Sequence, residues 1–323
     1  MHYKIQKGGT IMSNMTTLGK VHEKAEAMAR DHTDRFVHVK DLTFKNLDTV
    51  LIGDEPHQLR PIAQQSIAYR LGIPIQYLRR CPEHIQAYNM NFWITREKNE
   101  ELFFRFHNDQ VRAIFTPRYV PTDNLEVMEK LSSLNYNPNT PVQSSLDDEF
   151  MTISIPDREK TFRINGDKMT PGVSISNSEV GIAALSISSF ILRLVCTNGM
   201  ISKTEVTASY RHISVKILDE FPKVLGNISY DLDKQKDQFR LSLESKVENP
   251  QMTIDSFNRQ FQLGKEDQEA VAWALPYELP AQNKVTMFNV VNVYTKAAQY
   301  KPLTAESSYK LQKVGGTILG MVR

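Results

Sequence analysis

The spacing of apolar positions changes period several times along the chain, and each change marks an element. Residues 12 to 35 are polar with a weak helical repeat (Leu18, Val21, Ala25, Met28), which predicts an arm or a short surface helix. From Leu59 to Arg80 the run LRPIAQQSIAYRLGIPIQYLRR reads as two short amphipathic helices broken at Gly72 and Pro74. That outline has the look of a helix-turn-helix DNA reader. A helical hairpin packed on a sheet is the preferred reading, because glycine breaks between short helices are common in ordinary cores. Residues 101 to 121 alternate as a β-hairpin with its turn at His107-Asn108-Asp109. Asn124 to Leu134 returns to the helical period, and DEFMTISIPD and KTFRING predict two further strands.

The longest strand-like stretch begins at Gly172 and runs to Val215. Its Ile, Val, Ser and Leu content from Ser174 to Met200 predicts the centre of the sheet, with Asn198-Gly199 as a two-residue hairpin turn, since both residues accept positive φ. Beyond Val215, Leu225, Ile228, Leu232, Phe239, Leu243 and Val247 fall near a helical repeat and predict one long helix ended by Pro250. Helices over Lys265 to Leu275 and Val285 to Tyr300 follow. The fold class expected is α+β: a mostly antiparallel sheet with flanking helices, then a helical C-terminal part. No repeat or Pro/Ser-rich linker interrupts the chain, so the expected division is an N-terminal arm (1–35), a sheet-rich core (36–216) and a helical part packed on it (217–323).

Composition narrows the picture. With 323 residues and 41% hydrophobic content the chain can bury a substantial core. Its 39 Lys and Arg against 37 Asp and Glu leave a net charge of +2, so there is no global basic field and any nucleic-acid surface must be local. Cys81 and Cys196, the only two cysteines, suit reduced thiols in a cytosol better than a disulfide framework or a zinc site. No structural metal or cofactor is expected. No stretch approaches the roughly 20 apolar residues of a membrane span, so no membrane partner is expected. The first residues, MHYKIQKGGTIM, lack the apolar core of a signal peptide. Lys7-Gly8-Gly9 resembles a translated ribosome-binding site, and translation is expected to start at Met12, with Met15 as the alternative.

Catalytic motifs are not found. Asp147, Asp148 and Glu149 invite a metal, but successive strand side chains point to opposite faces and cannot converge on one ion. Pro156, Asp157, Glu159 and Lys160 faintly resemble a nuclease motif whose acids belong on separate strands; here they fall in one turn. The histidines form no zinc pair, and no nucleophile elbow, phosphate loop or dinucleotide fingerprint occurs. An enzyme would have to use His212 with Cys196, and in an alternating strand Cys196 faces the core. A non-enzymatic role is expected.

What remains is cations beside aromatics: Arg112, Arg118 and Tyr119 in the first hairpin, with Arg193, Lys203, Tyr210 and Arg211 in the second. Such pairs bind single-stranded nucleic acid by stacking bases and tracking phosphates, although Arg and Tyr on the solvated face of a sheet are also ordinary. Arg193 stands out within the apolar run FILRLVC, where a charge is expensive to bury alone. Either it pairs internally with an acid such as Glu179, or it is exposed for a ligand.

The segments IAQQSIAYRLGIPIQYLRRCP, VRAIFTPRYVPTDN, RLVCTNGM with YRHIS downstream, and TMFNVVNVYTKAAQY, spread over residues 59 to 315, resemble the successive motifs of a phage/plasmid-like protein family catalogued as a domain of unknown function. Thr116-Pro117 stands where the family has Ser-Asp, and Val293 where alanine is usual. The resemblance implies a prophage, plasmid or integrative-element setting and brings no agreed activity. Together these readings predict a binder of single-stranded nucleic acid, DNA above all. It would serve strand annealing or recombination as a homo-oligomer, through Arg112, Arg118, Tyr119, Arg193, Lys203 and Arg211. The alternative is a protein-interaction module, such as an inhibitor of a host defence enzyme.

Overall fold

A computed structural model describes residues 15–164, 166–193, 198–210, 223, 232–280 and 284–322. The described chain opens with β1 (Met15–Thr17) and α1 (Leu18–Ala29), whose first turn is capped by the Thr17 hydroxyl accepting from the Lys20 amide. Strands β2 (His32–His38), β3 (Leu42–Phe44), β4 (Thr49–Ile52) and β5 (Glu55–Gln58) precede a helical block. The block comprises α2 (Pro61–Arg70), the single turn α3 (Ile75–Leu78) and α4 (Glu83–Ile94). Pro61 starts α2 where its missing amide hydrogen is harmless, and Gly72, at φ +69°, turns the chain out of it. The hairpin β6 (Glu101–His107) and β7 (Gln110–Phe115) leads to α5 (Asn124–Ser133), where the Glu126 carboxylate accepts from the Asp123 amide.

Strands β8 (Pro141–Leu146), β9 (Met151–Pro156), β10 (Phe162–Ile164), β11 (Asp167–Asn177), β12 (Leu185–Arg193) and β13 (Asn198–Tyr210) complete the sheets. The largest sheet is antiparallel, in the order β1-β8-β9-β11-β12-β13, with β10 paired beside β11. Two three-stranded sheets, β2-β6-β7 and β3-β4-β5, stand apart from it. The fold class expected from the sequence is the one observed.

The Val-Ser-Ile-Ser alternation of β11 gives the large sheet two unlike faces. Val173 and Ile175, with Ile153, Ile155, Leu185 and Ile187, bury against Leu18 and Val21 of α1 and Val127 and Leu131 of α5. The other face carries Ser154, Ser174, Ser176 and Ser188, all buried, with the Ser154 hydroxyl donating to Ser174 at 3.0 Å. Helices α6 (Leu232–Glu244), α7 (Pro250–Gln260), α8 (Lys265–Glu278), α9 (Met287–Ala297) and α10 (Ala305–Met321) follow. Tyr309 of α10 packs with Phe150, Phe190 and Leu192, which seats α10 over this face of the sheet. Helix α9 is buried nearly all round and forms the centre of the helical part, and a Cβ on Gly315 would come within 2.6 Å of the Thr295 methyl, so α9 and α10 approach closely there.

Several expectations need correction. Of the two readings for the N-terminal segment, arm or short helix, the helix is observed as α1, but it does not lie free on the surface: Leu18, Val21 and Ala25 are buried, and β1 extends the sheet at β8. Asn198 and Gly199 are not a turn, because they pair with Arg193 and Leu192; the connection is residues 194–197, which lie outside the described residues. Pro250 does not end a long helix. Helix α6 stops at Glu244, and Pro250 begins α7 behind the Asn249 cap. The expected start of that long helix, His212, Cys196 and the boundary near residue 216 fall outside the described residues, as do residues 1 to 14.

Candidate nucleic-acid interface

Of the six residues expected to form one binding surface, the four whose side chains are described, Arg112, Arg118, Tyr119 and Arg193, do not share one. Arg112 is 2% exposed, and its Nη1 donates to Glu179 Oε2 at 2.6 Å. Glu179 Oε1 in turn accepts from the Asn124 amide at 2.7 Å. Beside this pair, Arg105 donates from Nε and Nη2 to Asp34, from Nη2 to Asp123 and from Nη1 to the Glu179 carbonyl. Tyr119 donates to the same carbonyl at 3.3 Å and stacks on Phe115. Burial raises the Tyr119 hydroxyl to about 12. This cluster clamps the β2-β6-β7 sheet to the β11–β12 connection and to the start of α5. Arg112 and Tyr119 are thus fastened inward; Arg118 alone of the first hairpin's three is exposed.

His32 belongs to the same clamp, with Nδ1 3.5 Å from Glu179 Oε2. Burial above all, and then Arg112, His107 and Arg105, push its imidazole down to about 4, outweighing the Asp123 carboxylate. It is neutral at pH 7.

Arg193 is internally paired, though not with Glu179. Its Nε donates to Asp167 at 2.7 Å and its Nη1 to Glu278 at 3.0 Å, with the guanidinium over the Phe288 ring. It bolts β12 to α8 and α9. Lys203 lies on β13, and Arg211 lies outside the described residues.

Exposed rings and cations gather elsewhere, on the helical block. Between Arg60 and Lys98 the chain carries six Lys or Arg against two acids, Glu83 and Glu97, in a protein of net charge +2. Glu97 is already engaged: it accepts from Arg70, at 3.3 Å, and from Asn99, and is held below the usual carboxylate range by the hydrogen bonds to Asn99 and the Arg70 charge despite burial. The bond to Arg70 also fixes the end of α2 beside the end of α4. Among the described residues no carboxylate lies in salt-bridge distance of Arg79 or Arg80.

Helix α4 and the turn that follows it present the stripe His84, Tyr88, Phe92, Arg96 at intervals of four, on the exposed side of a helix whose opposite side buries Met90 and Ile94. Tyr88 and Phe92 stack at 6.2 Å, Trp93 stands edge-on to Phe92, and the Arg96 guanidinium lies 3.7 Å above the Phe92 ring. Tyr69, at the end of α2, is 89% exposed, Tyr88 67% and Tyr77, on α3, 44%. These rings cover no core, which is an unfavourable placement for aromatic side chains unless something docks on them. A sequence signal for them exists, namely large residues at intervals of four from His84 to Arg96, and it lies beyond Arg80, where the helical reading of the sequence ends. Helix α3 is one turn long, too short for the recognition helix of a helix-turn-helix reader.

Among the described residues no group of three His, Cys, Asp or Glu side chains could hold a metal ion, and no helix is long and apolar enough to cross a membrane. Comparison with family models, with curated proteins and with solved structures finds no match to this chain.

Proposed function

We propose that this protein binds single-stranded nucleic acid across the face formed by α2, α3 and α4. The observation that carries the reading is the solvent-facing stripe of Tyr88, Phe92 and Arg96 with Trp93, on a helical block that also exposes Tyr69, Tyr77, Arg79 and Arg80. Bases stack on such rings whatever their identity, and the arginines neutralise phosphates. The resemblance to a mobile-element family supports the same reading and suggests a strand-annealing or recombination-accessory role in a bacterial host. The surface differs from the one expected from the sequence; the ligand class is the same.

Fluorescence anisotropy of a labelled oligo-dT titrated with protein over a range of salt tests this. Binding at low salt that weakens steadily as salt rises is expected, and Tyr88→Ala with Phe92→Ala should weaken it at least tenfold without lowering Tm, at about 1–3 kcal/mol per stacked base. No binding at low salt, or binding indifferent to salt, ends the proposal. Trp, Tyr and Arg also dominate protein–protein hot spots, so a wild-type chain that ignores oligonucleotides would turn this same face into a protein-docking surface.

A further inference from the structure

A cavity of about 310 Å³ lies where α2 begins, walled by Arg60, Pro61 and Ile62 on one side and by Arg112, Asp148 and Glu149 on the others. Arg112 commits only Nη1 to Glu179. Its Nε and Nη2, the side-on pair of the guanidinium fork, are buried with no acceptor. Arg105, the neighbouring buried arginine, directs the same pair of nitrogens at Asp34. An unmet buried donor costs about 1–3 kcal/mol, so two on one side chain mark a place where an acceptor pair belongs.

The surrounding charges select the kind of acceptor. Asp148 is paired with Arg60 at 3.1 Å, Arg112 with Glu179, and Glu149 adds a further carboxylate, so an additional full negative charge has no surplus cation to meet. A neutral ligand offering two acceptors on one edge and N–H donors on the next suits the walls better. Guanine is such a ligand: O6 and N7 accept from an arginine fork, while its N1–H and amino group donate to carboxylates. Pro61, Ile62 and Val180 supply apolar surface against a flat ring.

We infer that this cavity receives a guanine base, with the Arg112 fork on its O6 and N7 and Glu149 accepting from its N1–H edge. The inference rests on the nucleic-acid reading for its source of guanine, but its chemistry is independent of the α4 stripe. The Arg112 fork is sealed from water in the unliganded chain, so the ring enters by displacing a wall. Arg60, which bridges Gln110 of β7 and Asp148 of the β8–β9 turn, is the strap placed to release. Along α2, Tyr69 lies eight residues beyond Pro61, which sets it about 12 Å from the cavity, a span one short strand could cover.

Two measurements on the full chain test this. Ligand-observed NMR with guanosine, inosine and adenosine should show guanosine binding most strongly and adenosine least. An oligo-dT bearing one guanine should bind about tenfold tighter than oligo-dT alone, and that gain should vanish in Glu149→Ala and Arg112→Lys. Glu149→Ala decides the matter if Arg112→Lys fails to fold, since the Glu149 side chain takes no part in the clamp. Guanosine and adenosine giving equal or no signal, or a guanine that adds nothing while oligo-dT binds, overturns the cavity assignment and leaves the α4 surface standing. Guanosine binding without oligo-dT binding would keep the cavity and remove the stripe.

Discussion

Glu179 and Arg112 meet at 2.6 Å with their side chains 6% and 2% exposed, and they join two sheets that share no strand. Nothing in the local sequence of either residue points to the other, 67 positions away. Breaking a buried pair from one side strands the remaining charge, at a cost of about 3–5 kcal/mol. Glu179→Ala should therefore destabilise the chain by about 3 kcal/mol or more in urea denaturation, whereas Glu179→Gln, which keeps an acceptor for Asn124, should cost less. Equal midpoints for wild type and Glu179→Ala would contradict the clamp.

His32 gives the same clamp a pH signature. Its imidazole titrates at the ordinary 6.5 when unfolded and at about 4 when folded, so the unfolded chain takes up the proton first as pH falls. The stability contributed by neutral His32 is complete above pH 6.5 and drains away toward pH 4, by about 3 kcal/mol. In His32→Asn the thermal midpoint should vary less across that window than in wild type. Parallel profiles would show that His32 carries none of the acid sensitivity.

Arg193→Ala should cost about 2–4 kcal/mol, because Asp167 and Glu278 would be left facing each other without their shared cation. A double-mutant cycle with Glu278→Gln should show strong coupling, since both changes touch one bond. A folded, stable Arg193→Ala deficient only in ligand binding would overturn this structural role.

On the helical block, Arg79→Ala and Arg80→Ala together should leave stability within about 0.5 kcal/mol, as exposed residues with no carboxylate partner among the described residues. Their effect should appear in the salt dependence of oligonucleotide binding instead. The slope of log K against log salt should fall by roughly 0.7 for each phosphate that is no longer neutralised. An unchanged slope would place the phosphates elsewhere.

The readable parts of this fold are those whose period is set by one buried face. Helix α5 and the Val-Ile face of β11 are visible in the sequence for that reason, whereas the β6–β7 hairpin, buried on both faces, is marked by the Asn108-Asp109 turn between its strands. Pro250 misleads because proline ends one helix and begins another with equal ease, and Asn198-Gly199 because turn-forming residues also fit the first pair of a strand. The candidate surface is the least legible. Arg112 and Tyr119 look like ligand-facing residues, yet partners distant in sequence hold them inward, and composition does not reveal such partners. Tyr88 and Phe92 look like core residues, and only the burial of Met90 and Ile94 on the other side of α4 shows that they face outward.

Arg193 waits for two carboxylates placed very unequally along the chain, 26 residues before it and 85 after it. During synthesis Asp167 is already present when Arg193 leaves the ribosome, but Glu278 arrives only once most of the helical part has been made. The large sheet therefore passes that interval without the Arg193–Glu278 bond that fastens it to α8, and a nascent chain halted before α8 would be left in that state. Ribosome stalling, proteolysis or any early stop between these points should send the fragment to degradation rather than leave a working core behind.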